Sequence, residues 1–415
     1  MRIVAESGLG AAVFATLGRA ATANPGRPPV IVASGNWATP TAALRAIDDA
    51  VPSYRLFVLN GQSGLPVRDG VIPVTPFVGP GMRTHPNLEY IPARLSLVPR
   101  LLAGPHRPDV VVVHTSRPVD GRLSLGTEVN ILPAALDAAR AAGSLVIAQI
   151  NRQMPYTFGD GEIPVDAVDL ALEVDLPLAS PPAAAPDDTR NAIGERVAQL
   201  VPDGATVQLG IGAVPDATAA QLITRRDLRI WTETFSDGVL ALERKGVLTC
   251  DAPMVSSFVL GSPELYGWLD RNPRVRMLRT ETVNDPAMIA RQPRMTSINT
   301  ALQIDLHAQA NASYVHGRVW SGFGGQPDFV AGALHAPDGH AVIALSGWHA
   351  KSNTSTVVPA LTDPTTSFQH SHVVSEHGTA SLWGASHRQQ AERLVREVAD
   401  PRAREQLAAE IGRAW

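Results

Sequence analysis

ATVQLGIGAVPDATAAQLI, residues 205–223, holds three signals in one short run. Its apolar start reads as a buried strand, Gly210 and Gly212 interrupt it, and the Ala-rich stretch after Pro215 reads as a helix. A counterpart in the first half, VIVASGNWATPTAALRAI, begins at Val30. Gly35 and Pro40 match Gly210 and Pro215, so both pairs are offset by 175 positions. Each copy runs strand, glycine, four residues, proline, helix. A duplicated α/β domain produces such an offset, although strand-glycine-helix turns are common enough for one match to arise by chance. Pro40 and Pro215 are expected at the first helical position, where a missing N–H costs nothing.

Other short apolar runs, at 109–115, 144–150 and 341–345, alternate with amphipathic stretches, and this alternation indicates an α/β fold. At 415 residues the chain exceeds what one compact core accommodates, so two domains are expected. PLASPPAAAPDD, 177–188, has no apolar periodicity and reads as the linker between a domain spanning 1–180 and another spanning 190–415. Ser386 suits the cap of one C-terminal helix, and Asp400-Pro401 suits the start of the next.

Composition excludes several function classes. Apolar residues make up 45% and charged residues 18%, which describes a chain that folds rather than a disordered one. The net charge is −4 and only Lys245 and Lys351 are lysines, so no basic surface for nucleic acid is expected. Cys250 is the single cysteine, which rules out an internal disulfide and any Cys-based zinc site and points to a reducing, cytoplasmic setting. Glu6 and Arg19 fit poorly with a cleavable secretory signal around AAVFATLG, and no apolar run reaches the ~20 residues of a membrane span.

Several segments can carry chemistry. LGIGAVPDAT, 209–218, brings a glycine turn to a helix start, where backbone N–H groups favour an anion. Its spacing departs from G-x-G-x-x-G because Pro215 stands where the third glycine belongs, so a dinucleotide site is disfavoured and a plain tight turn is the alternative. WSGFGGQPDF, 320–329, is either an anion-binding nest or a surface hairpin. Asn284 precedes Asp285-Pro286 in a turn, where structural use is the default. The histidines of the last quarter, His370 and His372 among them, lack a ligand pattern, and no metal site is expected. Glu233, in IWTETFSDGVL at 230–240, falls where a strand ends and a helix begins. Ligands gather at such strand ends in open sheets, and Ser236 or Asp237 can cap the helix that follows. A partly desolvated, ionised carboxylate there is a usable nucleophile.

Read together, VQLGIGAVPDA, WTETFSDGVL, SPELYGWLDRNP, VNDPAMIARQPRMTSINTALQIDL and SGFGGQPDF closely resemble the acetyl-CoA hydrolase/transferase family, which includes 4-hydroxybutyrate and acetate CoA-transferases. SLGTEVN, INRQMPYTFGDGEIPV and LALEVDLPL extend the likeness over nearly the whole chain. The resemblance implies two related open α/β domains of the CoA-transferase type in tandem, the second carrying the catalytic glutamate. It implies Glu233 as the nucleophile, with Asn284, Gly324 and Gly325 as donors to a developing oxyanion. Gln208, Gly210, Ile211, Gly212, Ala213, Pro215, Gly322 and Gln326 would line the acyl or CoA pocket. The expected reaction moves CoA between an acyl-CoA and a small carboxylic acid, in a homodimer, with coenzyme A as substrate and no tightly bound cofactor.

Four segments depart from the family pattern: STVVP at 355–359, SEHGTA at 375–380, DLHAQ at 305–309 and IPVD at 163–166. They leave two alternatives beside transfer, hydrolysis of an acyl-CoA or acyl-CoA binding without catalysis.

Overall fold

The computed structural model describes residues 1–180, 187–365, 367 and 369–414. The chain divides into two compact units. The first comprises Met1–Pro181, Val255–Thr282 and Trp320–Gly324, and the second Pro182–Met254, Val283–Val319 and Gly325–Trp415. Two segments beyond the stretch read as a linker, Val255–Thr282 and Trp320–Gly324, therefore group with the first unit rather than with 190–415. Of the expected linker, residues 181–186 lie outside the described residues.

The first unit is built on an eight-stranded sheet, ordered Arg2–Ile3, Leu170–Val174, Leu145–Asn151, Val110–Thr115, Val30–Ala33, Tyr54–Phe57, Val71–Thr75 and Glu89–Tyr90. Every neighbouring pair is parallel. A strand buried on both faces shows no apolar/polar alternation, as in VVVV at 110–113, which runs on into the buried His114 and Thr115. Helix Glu6–Ala23 packs on helix Thr41–Ala50, and Val98–Ala103 on Leu132–Ala142. The segment that superficially resembled a signal sequence is the first of these helices. It buries Leu9, Val13 and Leu17, spaced four apart on one face.

The second unit has a six-stranded sheet, ordered Arg229–Ile230, Thr206–Leu209, Thr296–Thr300, His340–Ala344, His372–Ser375 and Gly378–Ser381. All pairs are parallel except the last, an antiparallel edge. In both sheets the strand before the glycine turn is flanked by the next strand in sequence on one side and by three later parallel strands in succession on the other; the first sheet adds Val71–Thr75 and Glu89–Tyr90 on the former side. The shared order gives topological substance to the 175-residue offset.

The two glycine-proline turns differ in detail from expectation. Pro40 caps helix Thr41–Ala50 from outside, and Pro215 is the third residue of helix Ala213–Gln221. Both positions are tolerated because none of the first four N–H groups of a helix has an intrahelical partner. Gly212 caps the second helix at φ 114°, a conformation costly for any residue with a Cβ. At the C-terminal end, Ser386 and Gln389 form a reciprocal capping box, and Asp400 accepts the Arg402 N–H at the start of Pro401–Ala414. Among the described residues, no helix is long and apolar enough to cross a membrane.

Candidate active site

Glu233 lies three residues beyond strand Arg229–Ile230, at the carboxyl edge of the second unit's sheet. Its neighbours in sequence hold it from two directions. Trp231 Nε1 donates to the Val283 carbonyl at 3.0 Å, and Thr232 Oγ1 donates to the Leu209 carbonyl at 3.0 Å. The first bond fixes the distance to the segment that carries Asn284; the second ties the turn to the glycine strand. Helix Asp237–Arg244 follows, with Ser236 at the cap position but no side-chain cap bond from it.

Asn284 is fully buried, and its Nδ2 donates to Glu233 Oε2 at 2.8 Å. It occupies the turn between two short helices, and Asp285 caps the second by accepting the Ala287 N–H. Gly325 completes the constellation. A Cβ on Gly325 would stand 1.7 Å from Glu233 Oε2 and 2.3 Å from Asn284 Nδ2, so the peptide approaches the carboxylate as closely as only glycine permits.

Burial pushes the Glu233 carboxyl up to about 7. The Asn284 hydrogen bond partly opposes that shift, and the nearby Asp328 charge adds to it. The residue as a whole is half-buried, and its desolvated carboxyl is poised to ionise near neutral pH. Asp328 is itself buried, in the first turn of helix Gln326–His335. Asp328 falls within WSGFGGQPDF, and its field on Glu233 follows from the fold rather than from that motif.

The other expected residues are distributed as follows. Gly325 immediately precedes helix Gln326–His335, so the glycine run opens a helix rather than a hairpin. Gln326 donates to the Thr300 carbonyl at 3.3 Å. Gly322 and Gly324 group with the first unit; a Cβ on Gly322 would meet the Pro76 carbonyl, and the Gly324 carbonyl accepts the Leu95 N–H. Gln208 is buried in its strand, where its amide oxygen accepts the Ile298 N–H at 3.1 Å and the Asn299 amide at 3.2 Å. Gly210 donates to the Ile298 carbonyl, Ile211 and Gly212 are exposed, Ala213 is half-buried and Pro215 is buried.

The altered segments have ordinary structural partners. Asp305 Oδ1 accepts the N–H groups of His307 and Gln309, which closes the DLHAQ turn. Among the described residues, one group has the side chains to hold a metal: Glu376, His377 and Asp400. Arg402 already supplies a cation there. Its two bonds, at 2.8 and 2.9 Å, hold the Asp400 carboxyl far below the usual carboxylate range. Burial lowers His370 and His372 to about 4, so both are neutral at pH 7.

Residues 261–411 match the family description "Acetyl-CoA hydrolase/transferase C-terminal domain". A 4-hydroxybutyrate coenzyme A transferase of Clostridium kluyveri is 35% identical over 350 residues, covering 81% of this chain and 80% of its own. The chain belongs to the acetyl-CoA hydrolase/transferase family. Solved structures share the fold. A 4-hydroxybutyrate CoA-transferase from Porphyromonas gingivalis gives a TM-score of 0.81 at 30% identity, covering 100% of this chain and 98% of that one. RipA from Yersinia pestis gives 0.89 at 27% identity, covering 99% and 97%. The acetyl-CoA hydrolase of Yarrowia lipolytica also matches, at 28% identity over 50% of this chain and 40% of its own.

Proposed function

We propose that this protein is a CoA-transferase in which Glu233 carries CoA as a thioester between two carboxylic acids. The observation that supports this reading best is the packing of Gly325 and Asn284 against the Glu233 carboxylate.

In the first step a Glu233 oxygen attacks the acyl-CoA carbonyl; the C–S bond breaks, leaving an acyl-glutamyl anhydride and CoA thiolate. The thiolate then attacks the glutamyl carbonyl. A new C–S bond forms, the anhydride C–O bond breaks, and the first carboxylate departs. An incoming carboxylate reverses both steps and leaves with CoA, so the kinetics are ping-pong. Each attack places negative charge on a carbonyl oxygen. The Asn284 Nδ2–H and the Gly324 and Gly325 peptides are the proposed donors, and one such donor is worth about 3 kcal/mol. The glycine turn 210–215 with Gln208, Gly322 and Gln326 is assigned to the acyl and CoA chain. Binding energy from the nucleotide end of CoA orients the reacting atoms. The proposal includes a cytoplasmic homodimer that takes acyl-CoA and a small carboxylic acid and needs no resident cofactor.

Incubation with an acyl-CoA followed by intact-mass analysis tests the intermediate. A CoA-sized adduct is expected in the wild type and absent in Glu233→Ala; turnover unchanged in that variant refutes the assignment. Similarity to acetyl-CoA hydrolases supports a second reading, in which water intercepts the intermediate. Varying the acceptor separates the two: transfer yields a new acyl-CoA in proportion to acetate or succinate, whereas hydrolysis proceeds without either.

A further inference from the structure

INRQMPYTFG and SPELYGWLDRNP are prominent in the sequence, yet neither has a role in the proposed transfer reaction. Both line a cavity of about 580 Å³ built wholly from the first unit. It opens beyond the carboxyl ends of three adjacent parallel strands, Val110–Thr115, Leu145–Asn151 and Leu170–Val174, on the sheet edge at which open α/β folds bind ligands and to one side of the switch point between Val30–Ala33 and Val110–Thr115. Helix Pro263–Leu269 and the residues after it supply the remaining wall. A volume of this size falls within the range of small-molecule sites and far exceeds the space of one water or inorganic ion.

The charge in the cavity is one-sided. Its lining includes Arg117, Arg152 and Arg271, against a single acid, Asp270. Arg271 Nε lies 3.2 Å from Asp270 Oδ2, so those two charges offset each other. Among the described residues, neither Arg117 nor Arg152 has a carboxylate partner, and both are exposed residues of the cavity lining. Met154, Tyr156 and Tyr266 supply buried apolar surface beside them.

The frame is held by bonds that leave those two arginines unused. Asn151 accepts the Leu176 N–H and donates to the Leu176 carbonyl, while its oxygen also accepts the Gln153 N–H. Asp270 accepts the Tyr156 N–H at 2.9 Å, and the Arg271 N–H returns to the Tyr156 carbonyl at 2.8 Å. Tyr266 donates to the Ala179 carbonyl at 2.8 Å. Arg271 has φ 52° just past a helix end, where glycine is the usual occupant. A left-handed backbone on a bulky residue persists only where its surroundings enforce it.

We propose that this cavity binds a small organic phosphate, with Arg117 and Arg152 holding the dianion and the Met154–Tyr156–Tyr266 wall holding an apolar or aromatic body. Guanidinium matches phosphate oxygens in both charge and geometry.

Calorimetric titration with phenyl phosphate tests the site. The wild type is expected to bind it more tightly than inorganic phosphate, with affinity falling as salt rises. Arg117→Ala and Arg152→Ala should each weaken binding about tenfold, and Glu233→Ala should leave it unchanged. The double variant Arg117→Ala/Arg152→Ala should keep CoA transfer at the wild-type rate without added phosphate ester, which also reports that it is folded. Absence of binding at millimolar phenyl phosphate overturns the proposal, as does equal affinity in the double variant. Loss of transfer together with binding would also overturn it, by assigning the arginines to the CoA substrate.

Discussion

Gly325→Ala is the smallest change that tests the active-site geometry. The added carbon would lie 1.7 Å from Glu233 Oε2 and 2.3 Å from Asn284 Nδ2, whereas real Cβ contacts essentially never fall below 3.0 Å. The carboxylate or the peptide must therefore shift by more than 1 Å, and Asn284 cannot retain both its 2.8 Å bond and its position. Misplacing a reacting atom by 1 Å costs about 100-fold, or nearly 3 kcal/mol of barrier. The expected outcome is a fall in kcat/KM of roughly that size, carried mainly by kcat because CoA contacts remote from the carboxylate survive. Initial rates of transfer from an acyl-CoA to acetate measure it, and a thermal melt alongside confirms the fold. A folded variant within threefold of wild-type kcat/KM would refute the claim that this peptide is packed against the reacting carboxylate.

Glu233 must be ionised to attack. With its carboxyl raised to about 7, kcat/KM should fall tenfold per unit as pH drops below 7 and level off above it. A flat profile between pH 5 and 8 would contradict this. Asp328→Asn removes a charge that holds that value up, so the limb should move to lower pH, as read from the same profile. The folded carboxyl binds its proton more tightly than the unfolded chain does, so its contribution to stability is greatest below about 4.5 and declines until about 7. Glu233→Gln should abolish that decline, worth at most about 3 kcal/mol, as followed by denaturant melts across the range. Ser386→Ala breaks the capping box and should cost about 1 kcal/mol in the same melts while leaving transfer unaffected.

Local patterns specify local structure here. The Ser386 cap and the glycine break after Leu209 follow from neighbours a few residues apart, and the apolar runs at 30–33 and 110–113 mark buried strands by composition, although their hydrogen bonds go to distant strands. Family resemblance singled out Glu233, Asn284 and Gly325 as chemistry-bearing residues, but nothing in their spacing shows that they touch.

That contact is tertiary, since Asn284 is 51 positions from Glu233 and meets it only because Trp231 anchors to Val283 and the sheet brings the two turns together. The near-neutral carboxyl has the same origin, because desolvation and the field of Asp328 depend on what surrounds a group in space. So does the grouping of 255–282 and 320–324 with the first unit, which a linker-based division at 180–190 does not reveal. The arginine-lined cavity is a further case. Its walls come from four segments, the first and last more than a hundred residues apart, and only chain packing brings their arginines into one lining.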